Sequence, residues 1–419
     1  MSAPTTPLFT DLYQLTMMQG YMRTGLNKRM ACFDLFFRNN PFGGGYTIAA
    51  GLEDALKFLQ NLRFSEDDLE YLASVKFFKK DFIDYLKSFR FQGEVYAVPE
   101  GTLVFPMEPI LRVRAPLDQC QLVETGLLNI INFQTLIATK AARVCQEAGS
   151  AEVLEFGLRR AQGPDGALTA SRSAYIGGCT ATSNVEAGKV YGIPIGGTHA
   201  HSWVMAFESE LESFRAFAEI YPDNSVFLVD TYNTLRSGVP NAVKVGLEMK
   251  EKGKKLLGIR LDSGDLAFLS VEARKMLDEA GLTGVKIFTS NELDEHIIHD
   301  MKIQGAAIDA YGVGTRMITA SGEPALSGVY KMSAMKDGDG EWLMKIKLTE
   351  GLKKGTLPGV KQVWRLRDKK GEMMADIMEL ESARPDFEKG VWGYHPAVEY
   401  EKKFFGKIEK AEFLLKPVF

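Results

Sequence analysis

The segment Ser225–Asn291, SVFLVDTYNTLRSGVPNAVKVGLEMKEKGKKLLGIRLDSGDLAFLSVEARKMLDEAGLTGVKIFTSN, decides the reading of the fold. Three short β-rich runs, Ser225–Asp230, Lys255–Leu261 and Val285–Ser290, alternate with two longer stretches of helical periodicity, Ala242–Lys252 and Leu266–Ala280. Pro240 suits the first turn of a helix, and Gly253 and Gly281 suit helix C-termini, where a left-handed residue is favoured. Alternation of this kind argues for parallel strands joined by helices.

Outward from this segment the pattern continues. Four further runs, Glu152–Gly157, Ala174–Gly178, Ile193–Thr198 and Ala306–Gly312, are accompanied by helix-like stretches Asn184–Tyr191, Leu211–Ile220 and Glu292–Ile303. Asp262 and Asn291 stand near helix starts, and Gly305 at an end. Seven strand–helix units can close into a barrel or lie open as a doubly wound sheet, and periodicity does not choose between them. The flanks read differently. Residues 1–118 hold a helix over Asp11–Tyr21, a turn at Gly43–Gly45, two helices and a β-rich stretch Gly93–Val113, and residues 328–419 hold strand-like runs Gly328–Ala334, Trp342–Leu348 and Gln362–Arg367. The expectation is an α/β chain in three segments: 1–118 and 328–419 packing together as an α+β domain, and 119–327 as the central (β/α) domain.

The 419 residues are 45% hydrophobic, enough for a large core, and the net charge of −4 gives no strong field toward nucleic acid or an anionic membrane. The longest apolar stretch, Leu122–Ala138, is interrupted by Glu124, Asn129, Asn132 and Gln134, so no membrane span is expected. The N-terminus does not read as a secretory signal, and Cys32, Cys120, Cys145 and Cys179 lie far apart. Reduced thiols and a cytoplasmic location are expected.

In a parallel barrel the active site lies at the C-terminal ends of the strands. The residues following the seven runs are Phe156–Arg160; Gly177 and Gly178, then Thr182–Asn184; Thr198–Ser202; Asp230–Asn233; Arg260–Asp265; Ser290 and Asn291; and Gly312–Arg316. Polar cargo falls at the same end of every run. Arginines and glycine-rich turns suit phosphate, because a guanidinium binds it in two-pronged fashion and bare backbone N–H groups can approach it. Asp230 and Asp262 suit Mg²⁺, a diol or a developing cation. A phosphorylated sugar with a metal is therefore the expected ligand. No lysine ends any run, which argues against a Schiff-base aldolase. His296 and His299, three apart on a helix with no third ligand motif, read as a surface pair.

The motifs Thr10–Met17, Phe156–Ala161, Gly197–Ser202 (GTHAHS), Arg260–Asp265 (RLDSGD) and Thr356–Gly359 (TLPG), in this order and spacing, resemble the nicotinate phosphoribosyltransferase family along nearly the whole chain. The resemblance implies an irregular seven-stranded TIM-like barrel with an α+β sandwich built from both chain ends. It implies ATP-coupled, ligase-type transfer of a phosphoribosyl group from 5-phosphoribosyl 1-pyrophosphate to nicotinate in NAD biosynthesis, with Mg²⁺, in a homodimer with shared active sites. His201 matches the family's phosphorylated histidine, a nucleophile whose phosphoramidate is energy-rich. His199 departs from the commonest motif and competes for that assignment. Asp230 would orient the imidazole, and Asp262 would stabilise the oxocarbenium-like centre.

By the same resemblance, Tyr13, from the partner subunit, and Phe156 sandwich the pyridine ring. Arg159, Thr198 and Arg316 hold the nicotinate carboxylate or a nearby phosphate. Arg160 and Arg260 serve the phosphoribosyl group, Asn291, Gly312 and Gly314 the 5′-phosphate, and Arg38 and Thr356 add phosphate contacts across the dimer. Ser183 aligns with a carboxylate of the nicotinamide-using relatives, and a hydroxyl there donates to nicotinate where a carboxylate would repel it. The alternatives are a nicotinamide phosphoribosyltransferase and a non-catalytic, nucleotide-responsive binding protein on the same scaffold.

Overall fold

The computed structural model describes residues 6–347, 357–368, 370–383, 410–413 and 415–418. The chain divides into two compact units, one of residues 137–324 and one of residues 3–136 with 325–419.

In the split unit, helix α1 (Leu12–Thr24) begins at Asp11, whose N–H donates to the Gln14 side chain at 3.0 Å, a capping box of the kind that fixes helix starts. It is followed by β1 (Met30–Phe37), β2 (Thr47–Ile48), helices α2 (Leu52–Gln60), α3 (Glu66–Ser74) and α4 (Lys80–Lys87), strands β3 (Glu94–Ala97), β4 (Leu103–Val104) and β5 (Leu111–Pro116), α5 (Leu117–Leu122), and the long α6 (Glu124–Ala148), which runs on into the other unit.

The continuous unit holds β6 (Glu152–Glu155), α7 (Pro164–Ile176), β7 (Ala181–Thr182), α8 (Val185–Tyr191), α9 (His201–Met205), α10 (Glu210–Ile220), β8 (Val226–Leu228), α11 (Val239–Glu251), β9 (Gly258–Leu261), α12 (Leu266–Glu279), β10 (Lys286–Asn291), α13 (Glu295–Ile303), β11 (Ala310–Val313) and α14 (Thr315–Ile318). The chain then returns to the split unit with β12 (Gly328–Lys336), β13 (Trp342–Met344), β14 (Lys361–Arg367), β15 (Met373–Leu380), β16 (Lys410–Phe413) and β17 (Lys416–Pro417). Leu348, at the end of the expected run from Trp342, lies outside the described residues. None of the described helices is long and apolar enough to cross a membrane.

In the split unit, β1 pairs antiparallel with β12 on one side and β5 on the other, in a six-stranded sheet ordered β13-β12-β1-β5-β3-β17. The register sets Asp34 opposite Arg112. Both are buried, and Arg112 Nε donates to Asp34 Oδ1 at 2.9 Å while Lys361 Nζ lies 2.7 Å from Asp34 Oδ2. Lys361 Nζ also donates to the carbonyls of Leu357 (2.6 Å) and Gly359 (3.0 Å), so the cluster pins the turn before β14. Burial alone would push the Asp34 carboxyl up; the charges and hydrogen bonds of Lys361 and Arg112 hold it below the ordinary carboxylate range.

In the continuous unit a six-stranded, wholly parallel sheet runs β7-β6-β11-β10-β9-β8. Strands β8 and β11 are buried along their whole length, as expected where helices cover both faces. Among the described residues no sheet closes on itself. Two expected strands are corrected here. The run Ala174–Gly178 is not a strand: α7 continues to Ile176, and the strand is the two-residue β7 further on. A short apolar run carries no period that separates strand from helix. Gly177 instead admits α6, since a Cβ there would lie 2.4 Å from the Ala138 carbonyl oxygen.

The run Ile193–Thr198 makes only one bridge, Thr182 to Ile195, with Thr182 N–H on the Pro194 carbonyl and Gly196 N–H on the Thr182 carbonyl, both at 3.0 Å. Pro194 has no N–H to give, and Gly196 and Gly197 are poor strand formers. Helix caps also fall later than expected. Asp265 and Asp294, not Asp262 and Asn291, cap α12 and α13, which leaves Asp262 and Asn291 on the strand-end turns.

Replacing Asp34 with alanine leaves two buried cations without their acid and is expected to cost about 3–5 kcal/mol. Differential scanning calorimetry checks it; an unchanged melting profile contradicts the account. Acidification acts in the same direction, because the stabilisation is full above the unfolded aspartate range and is lost as pH falls through the depressed folded value.

Candidate active site

The site is built at the C-terminal ends of the parallel strands, and Arg260, on β9, is its fastening. Its Nε donates to Ser290 Oγ on β10 at 2.8 Å, its Nη1 to Thr198 Oγ1 at 2.8 Å and the His199 carbonyl at 3.5 Å, and its Nη2 to Asp262 Oδ1 at 3.0 Å. Ser290 passes a further, short hydrogen bond to Asp262 Oδ1. Burial would raise the Asp262 carboxyl, but the Ser290 bond, the Arg260 charge and His201 hold it below the ordinary range, so it is a carboxylate at neutral pH.

His201 opens α9. Its Nδ1 lies 3.1 Å from Thr231 Oγ1 and its Nε2 3.8 Å from Asp262 Oδ2, with the side chain 40% exposed. The imidazole is therefore anchored at Nδ1 by Thr231, with Nε2 facing the Asp262 carboxylate, and it is open to a ligand. The expected contact with Asp230 is corrected. Asp230 Oδ2 accepts from the Asp262 N–H (2.8 Å) and Ser263 Oγ (2.6 Å), so this residue shapes the next turn, and Thr231 holds the ring. Asp230 Oδ1 is buried without a hydrogen-bond donor.

His199 is buried and faces away from this chemistry. Its Nε2 accepts the Leu228 N–H at 3.3 Å, its Nδ1 lies 3.4 Å from the Ala200 carbonyl, and its ring packs edge-on against Phe217 with centroids 4.8 Å apart. This arrangement needs the neutral ring. Burial, together with the nearby charges of Arg260 and His201, pushes its pKa down to about 4. Of the two histidines, His201 is the one available as a nucleophile.

The remaining expected residues divide by environment. Phe156 follows β6, and its ring occupies the space that a Cβ on Gly312 would fill (2.5 Å to Cδ2), while its carbonyl oxygen lies 3.1 Å from the corresponding position on Gly314. These two glycines admit Phe156. Arg159 and Arg160 are exposed in a short 3₁₀ turn. Ser183 is half-buried, and its N–H is held by the Glu155 carbonyl at 2.9 Å. Thr198 is engaged by Arg260 and donates to the His199 carbonyl. Arg316 forms a 2.5 Å ion pair with the buried Asp294, which also caps α13. Asn291 ends β10 with φ of 137°, a backbone conformation costly for a residue with a side chain and characteristic of functional turns.

Tyr13 and Arg38 belong to the split unit: Tyr13 is 45% exposed on α1, and Arg38 follows β1 with its Nε buried and unpartnered. Thr356 lies outside the described residues.

Three contributors escape the reading of the sequence as functional residues. Thr231 is a hydroxyl in a turn, where hydroxyls are common, and Ser290 a small hydroxyl near the end of β10. Glu155, fully buried, accepts from Ser171 (2.8 Å), Thr182 (2.6 Å) and the Gly157 N–H, tying together the turns that carry Phe156 and Ser183. Its signal was a charged residue set directly between the apolar Leu154 and Phe156.

A parallel α/β scaffold whose strand ends gather an open imidazole, a carboxylate and exposed guanidinium groups defines an enzyme handling anionic substrates. Residues 8–132 match the nicotinate phosphoribosyltransferase N-terminal domain, residues 151–340 the nicotinate phosphoribosyltransferase family, and residues 360–419 the family's C-terminal domain. The chain is 48% identical over 398 residues to the nicotinate phosphoribosyltransferase of Bacillus subtilis (strain 168), covering 95% of this chain and 81% of that protein. It is 39% identical over 456 residues to the enzyme of the same name from Caenorhabditis elegans, covering 94% and 80%. The crystal structure of human nicotinic acid phosphoribosyltransferase superposes with a TM-score of 0.81 at 34% identity, over 97% of this chain and 88% of that one. The chain belongs to the nicotinate phosphoribosyltransferase family, a family of enzymes.

The depressed His199 makes a pH prediction. An unfolded histidine near 6.5 and a folded one near 4 mean that its stabilisation is complete above pH 6.5 and is lost as pH falls toward 4, a change of about 3 kcal/mol. Thermal unfolding followed across this window should show a downward slope that is reduced in His199→Gln; parallel slopes would refute it.

Proposed function

We propose that this site joins nicotinate to the phosphoribosyl group of 5-phosphoribosyl 1-pyrophosphate, giving nicotinate mononucleotide for NAD biosynthesis, and couples the transfer to ATP through a phosphohistidine at His201. The observation that carries this reading is the open imidazole of His201, held between Thr231 and Asp262. An imidazole nitrogen attacks the γ-phosphorus of ATP: a P–N bond forms, the P–O bond to the leaving group breaks, and ADP departs. In the transfer, the pyridine nitrogen forms a bond to ribose C1 as the C–O bond to pyrophosphate breaks, and the anionic Asp262 stabilises the cationic centre between. Water then cleaves the P–N bond, releasing phosphate and restoring the imidazole.

Phe156 supplies one face for the pyridine ring, and Tyr13 of a second copy the other, in a homodimer with shared sites. Ser183, Arg159 and Arg316 receive the carboxylate, with Thr198 beside them, and Arg160, Arg260, Asn291, Gly312 and Gly314 serve the phosphoribosyl phosphates. Arg38 and Thr356 add phosphate contacts from the other copy. Mg²⁺ fits this donor set as an ion carried by the substrate phosphates. Among the described residues no group of three or more acidic, histidine or cysteine side chains forms a cage, while Asp230 Oδ1 is a buried acceptor without a donor and Asp262 Oδ2 faces the site. Asp230 and Asp262 would hold the ion, which neutralises pyrophosphate charge when bound. The scaffold is read as the family's irregular barrel, with the segment around Ile195 as its seventh strand, and the location as cytoplasmic.

Steady-state assays with nicotinate, nicotinamide or quinolinate test the reading. Product is expected from nicotinate, with ATP hydrolysed alongside; product from nicotinamide alone would overturn it. His201→Ala should abolish ATP-coupled turnover, and full coupling in that variant would refute the nucleophile. Ser183→Asp should lower kcat/KM for nicotinate at least about tenfold through charge repulsion; unchanged kinetics would remove Ser183 from the pocket.

A further inference from the structure

Among the described residues, strand β8 pairs with β9 on one side only. Backbone N–H groups alternate in direction along a strand. The Val229 N–H donates to the Arg260 carbonyl on β9 at 3.1 Å, so the preceding N–H, that of the fully buried Leu228, points to the unpaired edge. A neighbouring strand would offer a carbonyl there. Among the described residues the segment Ile193–Thr198 bridges only to β7, and the group that meets the Leu228 N–H is the His199 ring, through Nε2 at 3.3 Å.

Both partners of this bond lead directly into the site. Two residues after His199 comes His201; two and three residues after Leu228 come Asp230, which holds the Asp262 turn, and Thr231, which holds His201 Nδ1. The ring is fixed in turn by Phe217 at 4.8 Å and Phe214 at 6.3 Å, and its carbonyl is tied to Arg260. We propose that His199 is a positioning residue: its neutral ring, with Nε2 as the bare acceptor, stands in for a strand carbonyl at the open edge of β8 and sets His201 in register with Thr231. The imidazole's low basicity in this buried position keeps that acceptor available across the neutral range. Asparagine is too short to present an acceptor at this reach, whereas glutamine places its Oε1 near the position of Nε2.

The inference rests on His201 being the phosphorylated nucleophile, and its test separates the two. In the full-length protein, His199→Leu removes the acceptor while keeping an apolar side chain, and His199→Gln restores an acceptor. The rate at which ATP phosphorylates His201 should fall at least about 20-fold in the leucine variant, with KM for nicotinate changed less than about threefold, and should stay within about threefold of wild type in the glutamine variant. A leucine variant at the wild-type rate, or a glutamine variant as impaired as leucine, overturns the proposal. Long-range ¹H–¹⁵N spectra of the wild-type protein, labelled at histidine, give a reading that depends on no variant: His199 should be neutral at pH 7 with Nδ1 protonated and Nε2 bare, and a protonated Nε2 overturns the proposal. If ATP never phosphorylates the wild-type protein while those spectra show the bare Nε2 and the His201 ring signals shift in the leucine variant but not in the glutamine one, the nucleophile assignment fails and the positioning role stands.

Discussion

The guanidinium of Arg260 is the constraint on which the site depends. One side chain holds Asp262 in its own turn, Ser290 near the end of β10 and Thr198 in a distant turn, and reaches the His199 carbonyl besides. Its planar fork can meet acceptors in several fixed directions at once, which an ammonium cannot. Lysine here would keep the charge and lose the geometry. With its side chain 15% exposed and most of its donors already taken, Arg260 acts first as a brace and offers only part of its charge to a ligand.

That brace has an electrostatic consequence. Asp262 would be a costly group to bury, but Ser290 and Arg260 keep it ionised beside an imidazole that remains open to solvent. A fixed carboxylate facing a region where positive charge develops needs no reorganisation at the moment of reaction. The arrangement therefore sets an open imidazole a few ångströms from a fixed carboxylate, the pairing that the proposed phosphohistidine and its anionic stabiliser require. Asp230 supports the same geometry indirectly, by holding the Asp262 N–H and the Ser263 hydroxyl.

Much of this was legible in the sequence because strand–helix alternation is a periodic signal and polar residues gathered after each run. What was not legible has particular causes. The apolar stretch Ala174–Gly178 reads equally as strand or helix end, and the strand that replaces it, Ala181–Thr182, is too short to carry a pattern. Asp230 looked like the natural partner of the imidazole, but the next residue, Thr231, has the side chain that reaches it; a choice between adjacent turn residues is made by backbone direction, which the sequence does not display. The part played by His199 depends on knowing that β8 has an unpaired edge. Arg316 read as an anion receptor, and the sequence did not show that a buried cap residue, Asp294, shares the charge of its still partly exposed guanidinium.

The most direct test of the central claim is the search for acid-labile phosphate on the intact protein after brief incubation with γ-labelled ATP and Mg²⁺, followed by peptide mapping under alkaline conditions. The account predicts one phosphate per chain, on the peptide containing His201, lost on acid treatment. Phosphate mapping to His199, or no acid-labile phosphate at all while nicotinate mononucleotide synthesis consumes ATP, would contradict it.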